Sequence, residues 1–323
     1  MKARAGIEPV SLDAVLAART RLKGIARPTP LLPVPMASGA TRILAKLENL
    51  QPIGSFKIRG AANAMAIAGP EAVARGVCTA SAGNMAQGVA WCARELGVPC
   101  RVIVPESAPD NKIAAIERLG GEVIKVPFDD WWRAMMEHGY PGIDGLFIHP
   151  FADVGVMAGN GTISLELMEG DTEIDAVVVP WGGGGLACGI AAALRAIAPH
   201  VRVYAVELDV AAPLTASFAA GAATTIVPAR TYVDGIGGRS VTPEMFDLAR
   251  SLLAGVLLVS LQQVTTAIQR LAEQSRVVAE GAGAAAVAAA VAGVPDASCV
   301  ACIVSGGNID SAKLARILNG EIP

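Results

Sequence analysis

Short β-branched apolar runs alternate with helical patterns along most of this chain, and that alternation leaves few architectures open. Runs that read as strands lie at Arg42–Glu48, Val77–Ser81, Cys100–Pro105, Glu122–Pro127, Leu146–Pro150, Ala176–Pro180, Val201–Glu207 and Ser298–Val304. Between them, apolar spacing predicts helices at Asn84–Leu96, Pro109–Leu119, Asp130–His138, Gly155–Met168, Gly184–Ala196, Leu261–Ser275 and Gly283–Ala292. A surface helix is predicted over Ser11–Lys23, where Leu12, Val15, Leu16 and Leu22 recur before Gly24. The expected class is α/β, with doubly wound parallel sheets. The block 76–150 holds enough strands to close as a small mobile domain, leaving 1–75 and 151–323 to form a larger one.

Composition removes several functions. Hydrophobic residues make up 53% and charged residues 17%, so a large core is available and disorder is not expected. The net charge of −3 comes with no basic block, which argues against nucleic acid. The apolar stretch Ala282–Val294 is too short and too rich in Gly and Ala to span a bilayer, and no targeting signal opens the chain. A cytoplasmic protein is expected. Cys299 and Cys302 have metal-ligand spacing, but residues three apart on a strand point to opposite faces, so buried structural cysteine is the expectation. His138, His149 and His200 have no helical histidine partner or acidic ligand set and read as packing or surface residues.

Chemistry is sought in the loops that leave strands, where open parallel sheets bind their ligands. In Pro180-Trp181-Gly182-Gly183-Gly184-Gly185-Leu186 a strand ends, four glycines follow and a helix starts. Bare amides at a helix N-terminus bind phosphate, and side chains would block the approach. Gly182, Gly184 and Ala187 also fit a dinucleotide fingerprint with Glu207 as the ribose-binding acid, so a nicotinamide-dependent dehydrogenase is a rival reading. The fingerprint is permissive, because Gly281, Gly283 and Ala286 satisfy it too. Lys57 sits among Ser55, Phe56 and Ile58; a lysine in such surroundings loses its charge readily and becomes a nucleophile for carbonyls.

The order of motifs goes further than any one of them. Lys46-x-Glu48-Asn49 precedes Ser55-Phe56-Lys57; then come Ser81-Ala82-Gly83-Asn84, Gly182–Gly185 and Ser305-Gly306-Gly307-Asn308. Asp234-Gly235 and Glu280-Gly281-Ala282-Gly283-Ala284 belong to the same series. Over almost its full length the chain resembles the threonine dehydratase and serine racemase family of pyridoxal phosphate enzymes, with the tryptophan synthase β-like fold. The resemblance implies that Lys57 carries the cofactor as a Schiff base and moves the Cα proton. It implies that Phe56 packs beside the ring, Asn84 bonds the ring hydroxyl, Ser305 faces the pyridine nitrogen, and Gly182, Gly183, Gly184, Gly185 and the Leu186 backbone cradle the phosphate. Ser81, Ala82, Gly83, Asn84 and Met85 would border the substrate, with Ser81 and the Gly83–Asn84 backbone on its carboxylate. A homodimer acting on a small amino acid follows from the same resemblance.

The activity implied is loss of water from a β-hydroxy-α-amino acid, L-threonine or L-serine by default, giving a 2-oxo acid and ammonia. A neutral serine at the pyridine nitrogen weakens the electron sink and favours elimination. Racemases of the family place a serine opposite the lysine; here that position is Ala82, which has no proton to give. Met85, Asn160 and Trp181 also depart from the family pattern and leave a bulkier β-hydroxy amino acid open, beside a racemase or a non-catalytic sensor. Glu207 and Ala211 match two of the family's metal ligands, but Pro213 stands where the third, an Asp, should be, so no metal is expected. The chain ends soon after Asn308, so no C-terminal regulatory domain is expected.

Overall fold

The apolar runs pair into two sheets, and the pairing explains their composition. The computed structural model describes residues 6–35, 41–170 and 173–323. Its strands are β1 (Leu31–Pro33), β2 (Arg42–Leu47), β3 (Val77–Ala80), β4 (Cys100–Pro105), β5 (Glu122–Val126), β6 (Leu146–Phe147), β7 (Ala176–Pro180), β8 (Arg202–Leu208), β9 (Gly255–Val259) and β10 (Cys299–Val304). The helices are α1 (Leu12–Arg21), α2 (Lys57–Val73), α3 (Asn84–Leu96), α4 (Asp110–Arg118), α5 (Phe128–Glu137) and α6 (Val154–Met168). After these come α7 (Gly185–Ile197), α8 (Pro213–Ala220), α9 (Pro243–Leu252), α10 (Leu261–Ser275), α11 (Gly281–Ala292) and α12 (Ser311–Leu318).

One sheet has six strands in the order β1-β2-β10-β7-β8-β9, with β1 antiparallel at its edge and every other pair parallel. The other has four, β5-β4-β3-β6, all parallel. Strand β10 shows why such runs are apolar at every position. Cys299, Ala301 and Ile303 enter a core shared with α1, α6, α7 and α9, while Val300, Cys302 and Val304 enter another shared with α10 and α11. Both faces are dry, so hydrophobic burial rewards every residue rather than alternate ones. Cys299 and Cys302 lie on opposite faces, and all six cysteines are buried free thiols.

Sequence patterning predicts no helix over Lys57–Val73, yet α2 is there. Ile58 to Met65 are buried on every side, so no polar face exists to give a 3.6-residue rhythm, and Gly69 at φ 82° with Pro70 kinks its end. Helices α8, α9 and α12 and the strands β1 and β9 also fall where periodicity signals nothing. The run Leu146–Pro150 pairs only through Leu146–Phe147 as a strand. Beyond it the His149 Nδ1 accepts from the Phe151 and Ala152 amides and turns the chain.

Helix α2 packs into the same cluster as Val77, Met85 and Val102, and its Gly60 lies close against Val156 and Asn160 of α6. The loops after β2, β3, β7 and β10 all leave the carboxyl ends of strands, where they meet. Among the described residues no helix is long and apolar enough to cross a membrane.

Candidate active site

Lys57 is the first residue of α2, and the turn before it is tied to the end of β10. The Phe56 amide donates to the Ser305 carbonyl at 3.0 Å, and the Gly307 amide donates to the Gly54 carbonyl at 2.9 Å. Asn308 Nδ2 donates to the Ile53 carbonyl at 2.9 Å. These bonds deliver the Lys57 amine to the cleft between the sheets, where Nζ donates to the Pro150 carbonyl at 2.7 Å and stands 5.1 Å from the Phe56 ring centroid. Loss of water around the half-buried amine lowers its pKa from 10.5 to about 8, against the opposing charge of Glu280. A fraction of Lys57 is therefore an uncharged nucleophile near neutral pH.

The glycine loop faces the same cleft. Gly184 has φ +92°, which a side chain tolerates poorly. Its neighbours are glycines for another reason: a Cβ at Gly182 would overlap the Gly235 carbonyl, at Gly183 the Phe151 ring, and at Gly185 would stand 2.7 Å from the Phe151 carbonyl. The protein's own packing therefore demands small residues here, in addition to any ligand. The first-turn amides of α7, including Gly185 and Leu186, have no partner within the helix and carry its positive dipole end. Asn160 Nδ2 donates to the Gly185 carbonyl at 3.2 Å and braces this turn from α6.

Opposite lies the turn after β3. Ser81, Ala82, Gly83 and Asn84 are half-buried. Ser81 Oγ accepts from the Gly83 amide at 3.2 Å, and a Cβ on Gly83 would meet nothing within 4 Å. Met85 is different: it is 2% exposed and packs in the apolar cluster with Ile53 and Val89. Trp181 is also core, 1% exposed with its ring against Gly184. Ser305 is buried at the end of β10, under the Lys57 turn.

Glu280 belongs to this site, and sequence reasoning assigns it no role. Its Oε1 accepts from Asn84 Nδ2 at 2.8 Å, while Asn84 Oδ1 accepts from Asn308 Nδ2 at 2.8 Å. Burial, with help from Asp234, raises its pKa to about 7, although Asn84, Lys112 and the Asn308 amide favour the charged form. The signal available was its place in Glu280-Gly281-Ala282-Gly283-Ala284, where it reads as a helix-start residue.

Other candidates are committed elsewhere. The Glu207 carboxylate accepts from the Leu214 amide at 2.9 Å, the Thr215 amide at 2.8 Å and the Thr215 hydroxyl at 2.9 Å. These bonds commit it to the first turn of α8, whose first residue is Pro213. Among the described residues no group of three or more His, Cys, Asp or Glu is arranged to hold a metal ion.

A half-buried amine of lowered pKa and the first-turn amides of α7 for a phosphate fit pyridoxal phosphate, and the turn after β3 fits the carboxylate of an amino acid. A profile described as pyridoxal-phosphate dependent enzyme matches residues 22–306. The chain is 38% identical over 315 residues to the L-threonine ammonia-lyase of Thermotoga maritima, covering 96% of this chain and 78% of that one. To the catabolic L-threonine dehydratase of Escherichia coli it is 36% identical over 318 residues, covering 96% of each. Among solved structures it resembles maize serine racemase, with a TM-score of 0.87, 30% identity, and coverage of 97% of this chain and 98% of that one. The dinucleotide reading of Gly182, Gly184, Ala187 and Glu207 falls with these matches and with the engaged Glu207 carboxylate, and the chain belongs to the family of pyridoxal-phosphate dependent enzymes.

Proposed function

We propose that this protein is a pyridoxal phosphate-dependent ammonia-lyase that removes water from a β-hydroxy-α-amino acid, L-threonine or L-serine by default. The observation that carries the reading is Lys57, a half-buried amine of pKa about 8 in a cleft between a glycine-lined helix start and the Ser81–Asn84 turn. The cofactor, when bound, supplies the electron sink that makes the substrate Cα–H acidic. The first-turn amides of α7 would hold its phosphate, Phe56 would pack beside its ring, Asn84 would donate to the ring oxygen, and Ser305 would meet the pyridine nitrogen without a charge.

Ser81, with the amides of Gly83 and Asn84 at the start of α3, holds the substrate carboxylate, which the positive end of the helix dipole favours. Lys57 takes the Cα proton. Ala82 offers no acid on the other face, so no group returns a proton there and inversion is disfavoured against loss of the β-hydroxyl. The relatives named as threonine ammonia-lyase and dehydratase support this substrate class. Residues 76–150 act as a small domain that closes over the substrate against 1–75 and 151–323. The Lys112–Asp234 pair at 3.0 Å, the Asn111–Asp310 bond at 2.8 Å and Arg239 over the Phe128 and Trp132 rings support that closure. The protein works as a cytoplasmic homodimer, a state that light scattering measures.

A panel of L- and D-β-hydroxy amino acids, assayed for ammonia and 2-oxo acid, tests the activity. Turnover of threonine or serine is expected, bulkier substrates define the pocket, and no release from any of them refutes the reading. Formation of the enantiomer in place of ammonia turns it to racemisation.

A further inference from the structure

We propose that Glu280 is a positioning residue of the cofactor site, whose carboxylate fixes the orientation of Asn84 and stands as counter-charge to the Lys57 amine; this rests on the function proposed above. Glu280 precedes α11 but makes no capping bond to its own helix. Its side chain is committed to the cleft and is 5% exposed. Segments distant in sequence converge on it. Oε1 lies 2.8 Å from Asn84 Nδ2, and a Cβ on Gly306 would stand 2.6 Å from it and one on Gly235 3.9 Å. The Asn308 amide also donates to the carboxylate.

The donors and acceptors permit one arrangement. A carboxylate only accepts, so it takes an Nδ2 hydrogen of Asn84. Asn308 spends its Nδ2 hydrogens on the Ile53 carbonyl at 2.9 Å and on Asn84 Oδ1 at 2.8 Å. Turning the Asn84 amide over would set its oxygen against the carboxylate and its nitrogen against Asn308 Nδ2, repulsive at both ends. Asn84 is thereby held with its second Nδ2 hydrogen left for a ligand acceptor. Glu280 at one end and the Ile53 carbonyl at the other, both acceptors only, give this chain of bonds its direction.

The charged groups facing Glu280 are Lys57 at the start of α2, Lys112 on α4 and Asp234 in the loop before α9. Lys57 feels Glu280 as the charge that opposes its desolvation. With Glu280 neutral, the Lys57 amine gives up its proton at lower pH, while Asn84, still held at Oδ1 by Asn308 Nδ2, loses the charged acceptor that anchors its Nδ2. Because the carboxyl pKa rises on folding from 4.5 to about 7, the ionised form disfavours the folded state above about pH 7 and costs nothing below the unfolded value. Glu280→Gln removes that penalty, so the cofactor-free variant is not less stable than wild type at pH 8.

The test uses the full chain as wild type, Glu280→Gln, Glu280→Asp and Lys57→Ala. Each is stripped of cofactor, and uptake of pyridoxal phosphate is followed against pH by visible absorbance and by mass gained on borohydride reduction. Wild-type uptake is expected to have its midpoint near pH 8, the Lys57 value. Glu280→Gln moves the midpoint to lower pH and weakens equilibrium binding by on the order of ten-fold. Glu280→Asp falls between the two. Unchanged midpoint and affinity in Glu280→Gln overturn the proposal; should that variant not fold in a thermal melt, unchanged values in Glu280→Asp do the same. If Lys57→Ala gains the same mass as wild type, the assignment of Lys57 fails, which is a separate result from a failure at Glu280.

Discussion

Arg59, two residues into α2 from Lys57, anchors the reactive helix through a buried charge cluster, and its removal has a calculable cost. Its Nε and Nη2 donate to the Glu48 carboxylate at 2.8 and 2.9 Å, and its Nη1 donates to Glu166 at 2.6 Å and to the Thr162 hydroxyl at 3.0 Å. The Arg59 and Glu48 side chains are 3% and 0% exposed. In Arg59→Met, Glu166 keeps Lys46, but Glu48 is left with the Thr29 hydroxyl and Gln51. An uncompensated buried charge costs about 3–5 kcal/mol. At roughly 2.1 cal/mol/K of unfolding entropy per residue, a cooperative chain of 323 residues then melts about 4–7 °C lower. Calorimetry measures this, and cofactor titration measures the accompanying loss of affinity as the Lys57 helix shifts. Adding Glu48→Leu removes the orphaned charge and should recover a large part of the stability, since an apolar replacement of a buried pair is often close to neutral. A single variant that melts within ~1 °C of wild type, or a double variant no better than the single one, would refute the reasoning.

The remaining expectations are narrower. Gly183→Ala puts a methyl into the Phe151 ring, so it should cost about 1–3 kcal/mol in urea unfolding and lower cofactor affinity with it. Glu207→Ala leaves the α8 amides of Leu214 and Thr215 uncapped; it should lose about 1–2 kcal/mol in the same assay while cofactor affinity stays unchanged, with or without a chelator. Burial pushes the Cys78 thiol up to about 11 and those of Cys92 and Cys100 to about 12, and raises Cys188, Cys299 and Cys302 also. A thiol reagent at pH 8 should therefore leave the native protein unlabelled and titrate all six cysteines after denaturation. Ala82→Ser supplies a hydroxyl at the position proposed to face the substrate opposite Lys57, and chiral chromatography should then detect enantiomer formation beside ammonia release.

The helices and strands differed in how plainly they could be read. Strands such as β7 and β10 are legible because both faces are buried and every position is apolar. Helix α2 is hidden for the same reason: burial from Ile58 to Met65 removes the polar face that makes a helix visible. At the site, Lys57 is singled out by the order of motifs around it. Met85 was placed beside the substrate by its position after Asn84, yet the first turn of α3 rotates it into the apolar cluster. Glu207 looked like a ligand-binding acid at a strand end, and α8, only a few residues on, takes both its oxygens.

The order of apolar runs is enough to specify a parallel α/β fold. The aldehyde cofactor is implied by the family resemblance that the order of motifs carries, while the glycines after β7 and the lysine after Phe56 give a phosphate site and a nucleophile. Those features act locally, through periodicity, backbone freedom and the nucleophilicity of an amine. The role of Glu280 was decided only by the fold, because its partner Asn84 is 196 residues away. A carboxylate before a helix ordinarily reads as a cap. It becomes a buried counter-charge only when α3, α11 and the end of β10 are packed together and water is excluded from between them.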